Sequence, residues 1–272
     1  MQSAGHDRTV GTTVEIFRAS NVTKRFGALV AVNNVSYSLH EHEVAGIIGS
    51  NGAGKTTFFN LLTGMFPPDE GTIHYRDVEI THETPQQRVT RGVMRTFQLT
   101  STFDNLTVID NLVLAYFRAH RKASLLQLFL NTCKQHRNNE KITAILETFD
   151  LKDLRDREVR NLSLGEKRRL EIAMTMLAEP KVLLLDEPLA GLAESEIQAV
   201  LEILRRQMGR QTILIVEHKI SHVKDFLQRI TVMHEGSIIA EGGYDECMSH
   251  PEVRRSYWQI DIDAETSAEA GS

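Results

Sequence analysis

Cysteine is nearly missing: Cys133 and Cys247 are the two in 272 residues, and neither sits in a CxxC or Cys/His ligand spacing. That excludes a disulfide framework and a clustered zinc site, and leaves two reduced thiols as the plain expectation. Long apolar runs are missing too. Short runs such as 182–185 and 213–216 fall far short of the ~20 residues that a membrane-spanning helix needs. The first residues, MQSAGHDRTVGTT, carry no apolar stretch of the kind found in a secretory leader. The chain is therefore expected to stay where it is made and to reach a membrane only through a partner. Positive charge is not in excess: 31 Lys and Arg stand against 36 Asp and Glu, a formal net charge of -5. Apart from Lys167-Arg168-Arg169 the basic residues are scattered, so no nucleic-acid partner is expected. No internal repeat is found.

What is present is ordinary globular material, 41% hydrophobic and 25% charged. The length suits one large domain carrying a small lobe. Residues 1–12 and 261–272 are polar and expected to be flexible, with a single domain over 13–260. Short alternating or apolar stretches at 14–17, 31–39, 44–48, 93–97, 182–185, 213–216, 230–233 and 237–240 read as strands. Helices are expected over about 55–63, 164–178, 194–208 and 221–228. The middle, about 107–156, reads as an inserted helical lobe, with apolar clusters at 125–130 and at Ile142, Ile145, Leu146 and Phe149. Strands alternating with helices imply an α/β fold with a parallel sheet, whose ligands sit beyond the carboxyl ends of the strands.

One stretch carries specific chemistry. Gly49-Ser50-Asn51-Gly52-Ala53-Gly54-Lys55-Thr56 matches GxxxxGK[ST], with an apolar strand before it and a helix after it. The glycines let the backbone curl until several N–H groups point at phosphate oxygens. The helix beginning near Lys55 adds the partial positive charge of its N-terminus. Lys55 can reach the β- and γ-phosphates, and the Thr56 hydroxyl can ligate Mg²⁺. A second element is the apolar strand 182–185 ending in Asp186 and Glu187. Asp186 is expected to hold Mg²⁺ largely through water, and Glu187 to act as the general base on the attacking water. Acids often close a strand, so this element gains its force from the glycine loop.

Together with Leu162-Ser163-Leu164-Gly165-Glu166, Gln98 after strand 93–97, and Glu217-His218 after strand 213–216, the chain resembles the ABC ATPase family over nearly its whole length. The first segment looks like the family's LSGGQ signature, Gln98 like its Q-loop glutamine, His218 like its switch histidine, and Phe26 in Arg25-Phe26-Gly27 like the aromatic that stacks on adenine. Taken singly each has a plainer reading: Phe26 as core, His218 as a hydrogen-bonded surface histidine, Ser163 as a helix N-cap. Arg168 and Arg169 read as solvated or partner-facing rather than nucleotide-binding. The resemblance implies a P-loop NTPase (RecA-like) core with an antiparallel β subdomain and an inserted helical subdomain at about 99–160. It implies ATP as substrate, bound by Phe26, by 49–56 and by Thr57. It implies Mg²⁺ held by Thr56, Gln98 and Asp186, and catalysis by Glu187, His218 and Gln98. Leu162, Ser163, Leu164, Gly165 and Glu166 would cover the γ-phosphate held by a second ATPase subunit, in a homo- or heterodimer. Leu164 stands where the family usually has glycine, and Ala193 where many relatives have Asp or Asn.

Further segments, including Phe26-Gly27-Ala28-Leu29-Val30-Ala31-Val32, Arg95-Thr96-Phe97-Gln98, Leu106-Thr107-Val108 and His250-Pro251-Glu252-Val253, look like the branched-chain amino acid importer ATPases. That resemblance implies transmembrane permease subunits, a periplasmic or extracellular solute-binding protein acting indirectly, and a place on the cytoplasmic face of a bacterial or archaeal membrane. The permease surface is expected near 99–112, with Thr102, Phe103 and Asn105 as groove residues; internal packing of Phe103 is the alternative. Two other readings stand beside this one. A lipid- or lipopolysaccharide-export ATPase shares the same motifs. A soluble ABC protein of DNA repair or the ribosome would need a long coiled coil or tandem cassettes, and the chain has neither.

Overall fold

A computed structural model of the chain describes residues 14–96, 102–120, 137–218 and 220–258. In chain order, strands β1 (Glu15–Phe26), β2 (Leu29–His40) and β3 (Val44–Gly49) lead into helix α1 (Lys55–Thr63). Then come β4 (Glu70–Tyr75), β5 (Val78–Glu79), α2 (Pro85–Thr90), β6 (Val93–Arg95), α3 (Val108–His120) and α4 (Glu140–Thr148). Two short 3-10 turns, Lys152–Leu154 and Val159–Asn161, precede α5 (Leu164–Met176), β7 (Val182–Asp186), α6 (Glu194–Arg205) and β8 (Thr212–Glu217). The last elements are α7 (Ile220–Val223), β9 (Arg229–His234), β10 (Ser237–Gly242), α8 (Tyr244–Ser249) and α9 (Pro251–Trp258).

These strands form two sheets. One is antiparallel, in the order β2-β1-β4-β5. The other runs β10-β9-β3-β8-β7-β6 and is parallel except where β10 pairs with β9. Every residue of β3, β7 and β8 is buried, which is why these strands read as plain apolar runs rather than alternating ones. Successive side chains on a strand point to opposite faces. Val182 and Leu184 join a core with α1 and the antiparallel sheet, and Leu183 and Leu185 join a second core with α3, α4, α5 and α6. The parallel sheet is thus covered on both faces.

Several elements depart from the sequence expectations. β1 spans twelve residues rather than four. Its pairing with β2 shifts register around 19–25, and Asn21 adopts a φ of 51°. Such bulges destroy the two-residue period on which the expectation rested. The helix expected over 221–228 is the short α7. Leu227 N–H turns back to the Val223 carbonyl and Gln228 N–H donates to the Val44 carbonyl, so the chain is already tied to β3 before β9 begins. β4, β5, α2, α8 and α9 were not expected. The apolar cluster at 125–130 and Cys133 lie outside the described residues.

Two arginines are structural. Arg88 on α2 is fully buried and donates to the carbonyls of Leu61, Leu62, Ile80 and Thr81, at 2.6, 2.7, 2.7 and 3.3 Å. It thereby gives a donor to the Leu62 carbonyl at the end of α1 and a second one to that of Leu61, which also accepts from Gly64 N–H. Arg168, expected on the surface, is buried and bonds the Glu171 carboxylate at 2.9 Å. It lies on the inward side of α5, where an ion pair is the affordable way to bury it.

Candidate functional site

Three parallel neighbours, β3, β8 and β7, bring the predicted chemistry to one edge of the sheet. The register pairs Ile48 with Glu217 and Asp186 with Val216. Gly49, Glu217, His218, Asp186 and Glu187 therefore emerge side by side at the carboxyl ends of their strands, where α/β sheets bind ligands.

The glycine loop is shaped by contacts that exclude side chains. A Cβ on Gly49 would lie 2.3 Å from the Met233 carbonyl oxygen, and one on Gly54, at φ +95°, would lie 2.4 Å from that of Ala31. β2 and β9 thus press the loop into shape from behind. Gly52, at φ +82°, faces open space. Helix α1 starts on Gly54 with no side-chain cap, and its first internal bond runs from Phe58 N–H to the Gly54 carbonyl. The N–H groups of Lys55, Thr56 and Thr57 precede that bond and so have no helical partner. Lys55 is buried, and its Nζ donates to the carbonyls of Gly49 and Ser50 at 2.7 and 2.9 Å. Burial pulls its pKa down, opposed by the carboxylates of Glu187, Glu217 and Asp186.

Asp186 is completely buried. Its Oδ2 accepts from Arg95 at 2.6 Å, while Oδ1 finds no partner among the described residues. Burial raises its pKa despite the opposing Arg95 charge. Arg95 itself is fixed from two further sides: it donates to Asn60 Oδ1 at 2.6 Å and lies 4.9 Å from the centre of the Phe59 ring. A buried carboxylate with one oxygen unpartnered among the described residues, at the same sheet edge as the loop that leads into the exposed Thr56 at the head of α1, suits an ion that takes few protein ligands and keeps water and phosphate oxygens. The residues present fit Mg²⁺. Gln98 lies outside the described residues.

Glu187 follows Asp186 with a left-handed φ of 45° and donates its N–H to the Val216 carbonyl. Glu217 is 1% exposed; it accepts from Leu189 N–H at 3.0 Å and from His218 N–H at 3.3 Å, and burial raises its pKa. It therefore ties the segment after Glu187 to the predicted switch histidine, which is itself part-exposed.

Phe26 is not core. It is 49% exposed at the end of β1 and packs edge-on against Phe66, with ring centres 5.6 Å apart. Phe103, 56% exposed, is not packed inside either; its loop is pinned by Asn111, whose Oδ1 accepts from Phe103 N–H at 2.8 Å.

The predicted signature forms a separate hollow of about 120 Å³, lined by Ser163, Gly165, Arg169, Glu196 and their neighbours, with no residue of the glycine loop among them. Ser163 caps α5: its Oγ accepts from Glu166 N–H at 3.2 Å, and the Glu166 carboxylate accepts from Ser163 N–H at 2.8 Å. Leu164 is 42% exposed beside Gly191. The chain does not bring its own signature to its own glycine loop. Sequence reasoning missed Arg95, Asn60, Glu217 and Glu196 as parts of these sites, because their roles arise only from strand order and helix packing. Arg95 and Glu217 could have been flagged as charges placed directly against apolar strands.

The family described as ABC transporter matches residues 32–190. The high-affinity branched-chain amino acid transport ATP-binding protein LivG of Escherichia coli K12 is 38% identical over 248 residues, which is 89% of this chain and 97% of LivG. BraF of Pseudomonas aeruginosa, with the same description, is 35% identical over 89% of this chain and 97% of its own. Among solved structures, an ATP-binding cassette of an ABC transporter in its ADP conformation superposes with a TM-score of 0.77 at 31% identity, covering 91% of this chain and all of that one.

Proposed function

This chain belongs to the ABC transporter family as an ATP-hydrolysing cassette, and from that premise we propose that it powers import of branched-chain amino acids or related small solutes through separate permease subunits. One observation carries the chemistry: the buried Asp186, with one oxygen locked by Arg95 and the other free, shares a sheet edge with Lys55 and Glu187. The transport descriptions of LivG and BraF support the choice of cargo.

In this reading ATP lies along residues 49–57 with its base on the open face of Phe26. Lys55 exchanges the carbonyls of Gly49 and Ser50 for β- and γ-phosphate oxygens, an exchange that swaps neutral acceptors for charged ones. Thr56, Asp186 and Gln98 would hold Mg²⁺, which supplies charge neutralisation on the phosphates when bound. Glu187 takes a proton from the water that attacks the γ-phosphorus, the bond from phosphorus to the ADP oxygen breaks, and His218 donates toward the γ-phosphate oxygens. Ser163 and Gly165 of a second cassette close over the γ-phosphate from the N-terminus of α5. Loss of the γ-phosphate removes the charge that joins the two faces, and the dimer opens. A permease docked near Phe103 at the cytoplasmic face converts closing and opening into alternating access, fed by a solute-binding protein outside the membrane.

Two variants test the chemistry. Glu187→Gln is expected to retain ATP and accumulate a closed dimer; rapid turnover in it would refute the base. Lys55→Ala is expected to lose nucleotide affinity, and unchanged binding by calorimetry would contradict the cradle. The cargo is tested by reconstituting the chain with its permeases in vesicles: leucine uptake should follow ATP hydrolysis, and hydrolysis indifferent to leucine and its loaded binding protein would refute it.

A further inference from the structure

The donors at the signature hollow are already engaged. Ser163 Oγ donates to Glu196 Oε1 at 2.7 Å, Gly165 N–H donates to the same oxygen at 3.0 Å, and Ala193 N–H donates to Oε2 at 3.1 Å. The glutamate lies so close over α5 that a Cβ on Gly165 would meet its side chain at 2.8 Å. Bonds from Ser163, Ala193 and Gly165 hold its carboxyl below the usual glutamate range. A helix N-terminus with a serine hydroxyl and a free N–H is a place for an anion, and here the chain's own α6 supplies one.

We propose that Glu196 is an internal competitor of the γ-phosphate: it fills the two signature donors, Ser163 Oγ and Gly165 N–H, and so sets the ATP level at which two cassettes close. The proposal rests on the sandwich described under Proposed function. Both donors engage one carboxylate oxygen, so an arriving phosphate must displace that oxygen to reach either. The phosphate has more charge and three oxygens, and it wins. ADP ends at a β-phosphate already held by the glycine loop and presents nothing to the hollow. A displaced Glu196 is not stranded. It keeps the Ala193 N–H at the head of its own helix, and Arg169, whose charge already acts on it, lines the same hollow. Glu196 touches no reacting atom; it determines specificity through Ser163 and Gly165. If it were merely a staple between α5 and α6, removing it would loosen Ser163 and weaken closure, an effect of opposite sign.

The test uses the full chain carrying Glu187→Gln, alone or with the second cassette of its transporter, followed by sedimentation velocity as ATP is raised. Glu196→Gln keeps the shape and the acceptor but not the charge. Charged hydrogen bonds are roughly twice as strong as neutral ones, so the ATP midpoint for dimer formation is expected to fall about tenfold. Glu196→Ala is expected to lower it further, with thermal unfolding confirming that both variants are folded. An unchanged or raised midpoint in both variants overturns the proposal. Ser163→Ala separates the two levels of failure. If closure is indifferent to Ser163, or never occurs, the sandwich falls and this proposal with it. If Ser163→Ala weakens closure while the Glu196 variants fail to strengthen it, only this proposal falls.

Discussion

Substituting alanine at Gly54 and at Gly52 separates two costs that a phosphate loop carries. Both glycines have left-handed φ values, +95° and +82°. A Cβ there is strained by about 1–2 kcal/mol whatever surrounds it. At Gly52 nothing else lies within 4 Å, so strain is the whole cost. At Gly54 the new atom would also sit 2.4 Å from the Ala31 carbonyl oxygen and 3.2 Å from the Gly236 Cα. Both neighbours are backbone, and they are joined to the loop and to each other: Gly236 N–H donates to the Ala53 carbonyl, and Asn33 N–H to the Gly236 carbonyl. Relieving the overlap means moving that linked set, which adds about 1–3 kcal/mol. Gly54→Ala is thus expected to cost about 2–5 kcal/mol and Gly52→Ala about 1–2 kcal/mol. Urea unfolding of the nucleotide-free chain reads the difference, and an unchanged slope certifies the comparison. Calorimetry should show ATP binding abolished in Gly54→Ala, because the shifted loop no longer aims its N–H groups. Equal losses at the two positions would refute the reasoning.

Arg88→Met should cost about 2–5 kcal/mol in urea unfolding, because the Leu62 and Thr81 carbonyls lose the guanidinium as donor and those of Leu61 and Ile80 keep only the N–H groups of Gly64 and Glu83; a loss below about 1 kcal/mol would mean that water replaces the guanidinium. Glu217→Gln tests the buried carboxylate through pH. Its folded pKa is raised by burial above the ordinary value of 4.5, so the folded state holds the proton more tightly than the unfolded chain. The penalty for its charge is therefore full above the folded pKa and fades as pH falls through it toward 4.5. The nucleotide-free variant should melt higher than the parent at pH 8, with the gap shrinking toward pH 5; a gap independent of pH would refute the assignment.

The sequence was most informative where a local pattern and a local structure coincide. The glycine loop needs positive φ and close backbone approach at fixed offsets, so its residues announce it. Ser163 with Glu166 three residues on is a capping box in sequence and in space. The buried strands β3, β7 and β8 are apolar because both their faces are covered. The partly legible elements are those where the local signal is interrupted. β1 lost its period to bulges, and α7 is cut short by Gln228 reaching Val44. What could not be read was the pairing between distant positions. Arg95 meets Asp186 ninety-one residues on, and Ser163 meets Glu196 thirty-three residues on. Neither contact follows from any window of sequence, yet each governs a charge in the site. The surface reading of Arg168 failed for the same reason. Its neighbours Lys167 and Arg169 are at least partly exposed, and only helix packing shows that α5 turns Arg168 inward to Glu171.

The central claim is that one chain holds the phosphates and another supplies the signature, so that neither hydrolyses ATP alone. Specific ATP hydrolysis measured against protein concentration tests this directly, with the chain alone or at a fixed ratio to its second cassette. Turnover per subunit should climb with concentration and vanish on dilution. A per-subunit rate that stays constant down to the most dilute sample would contradict it.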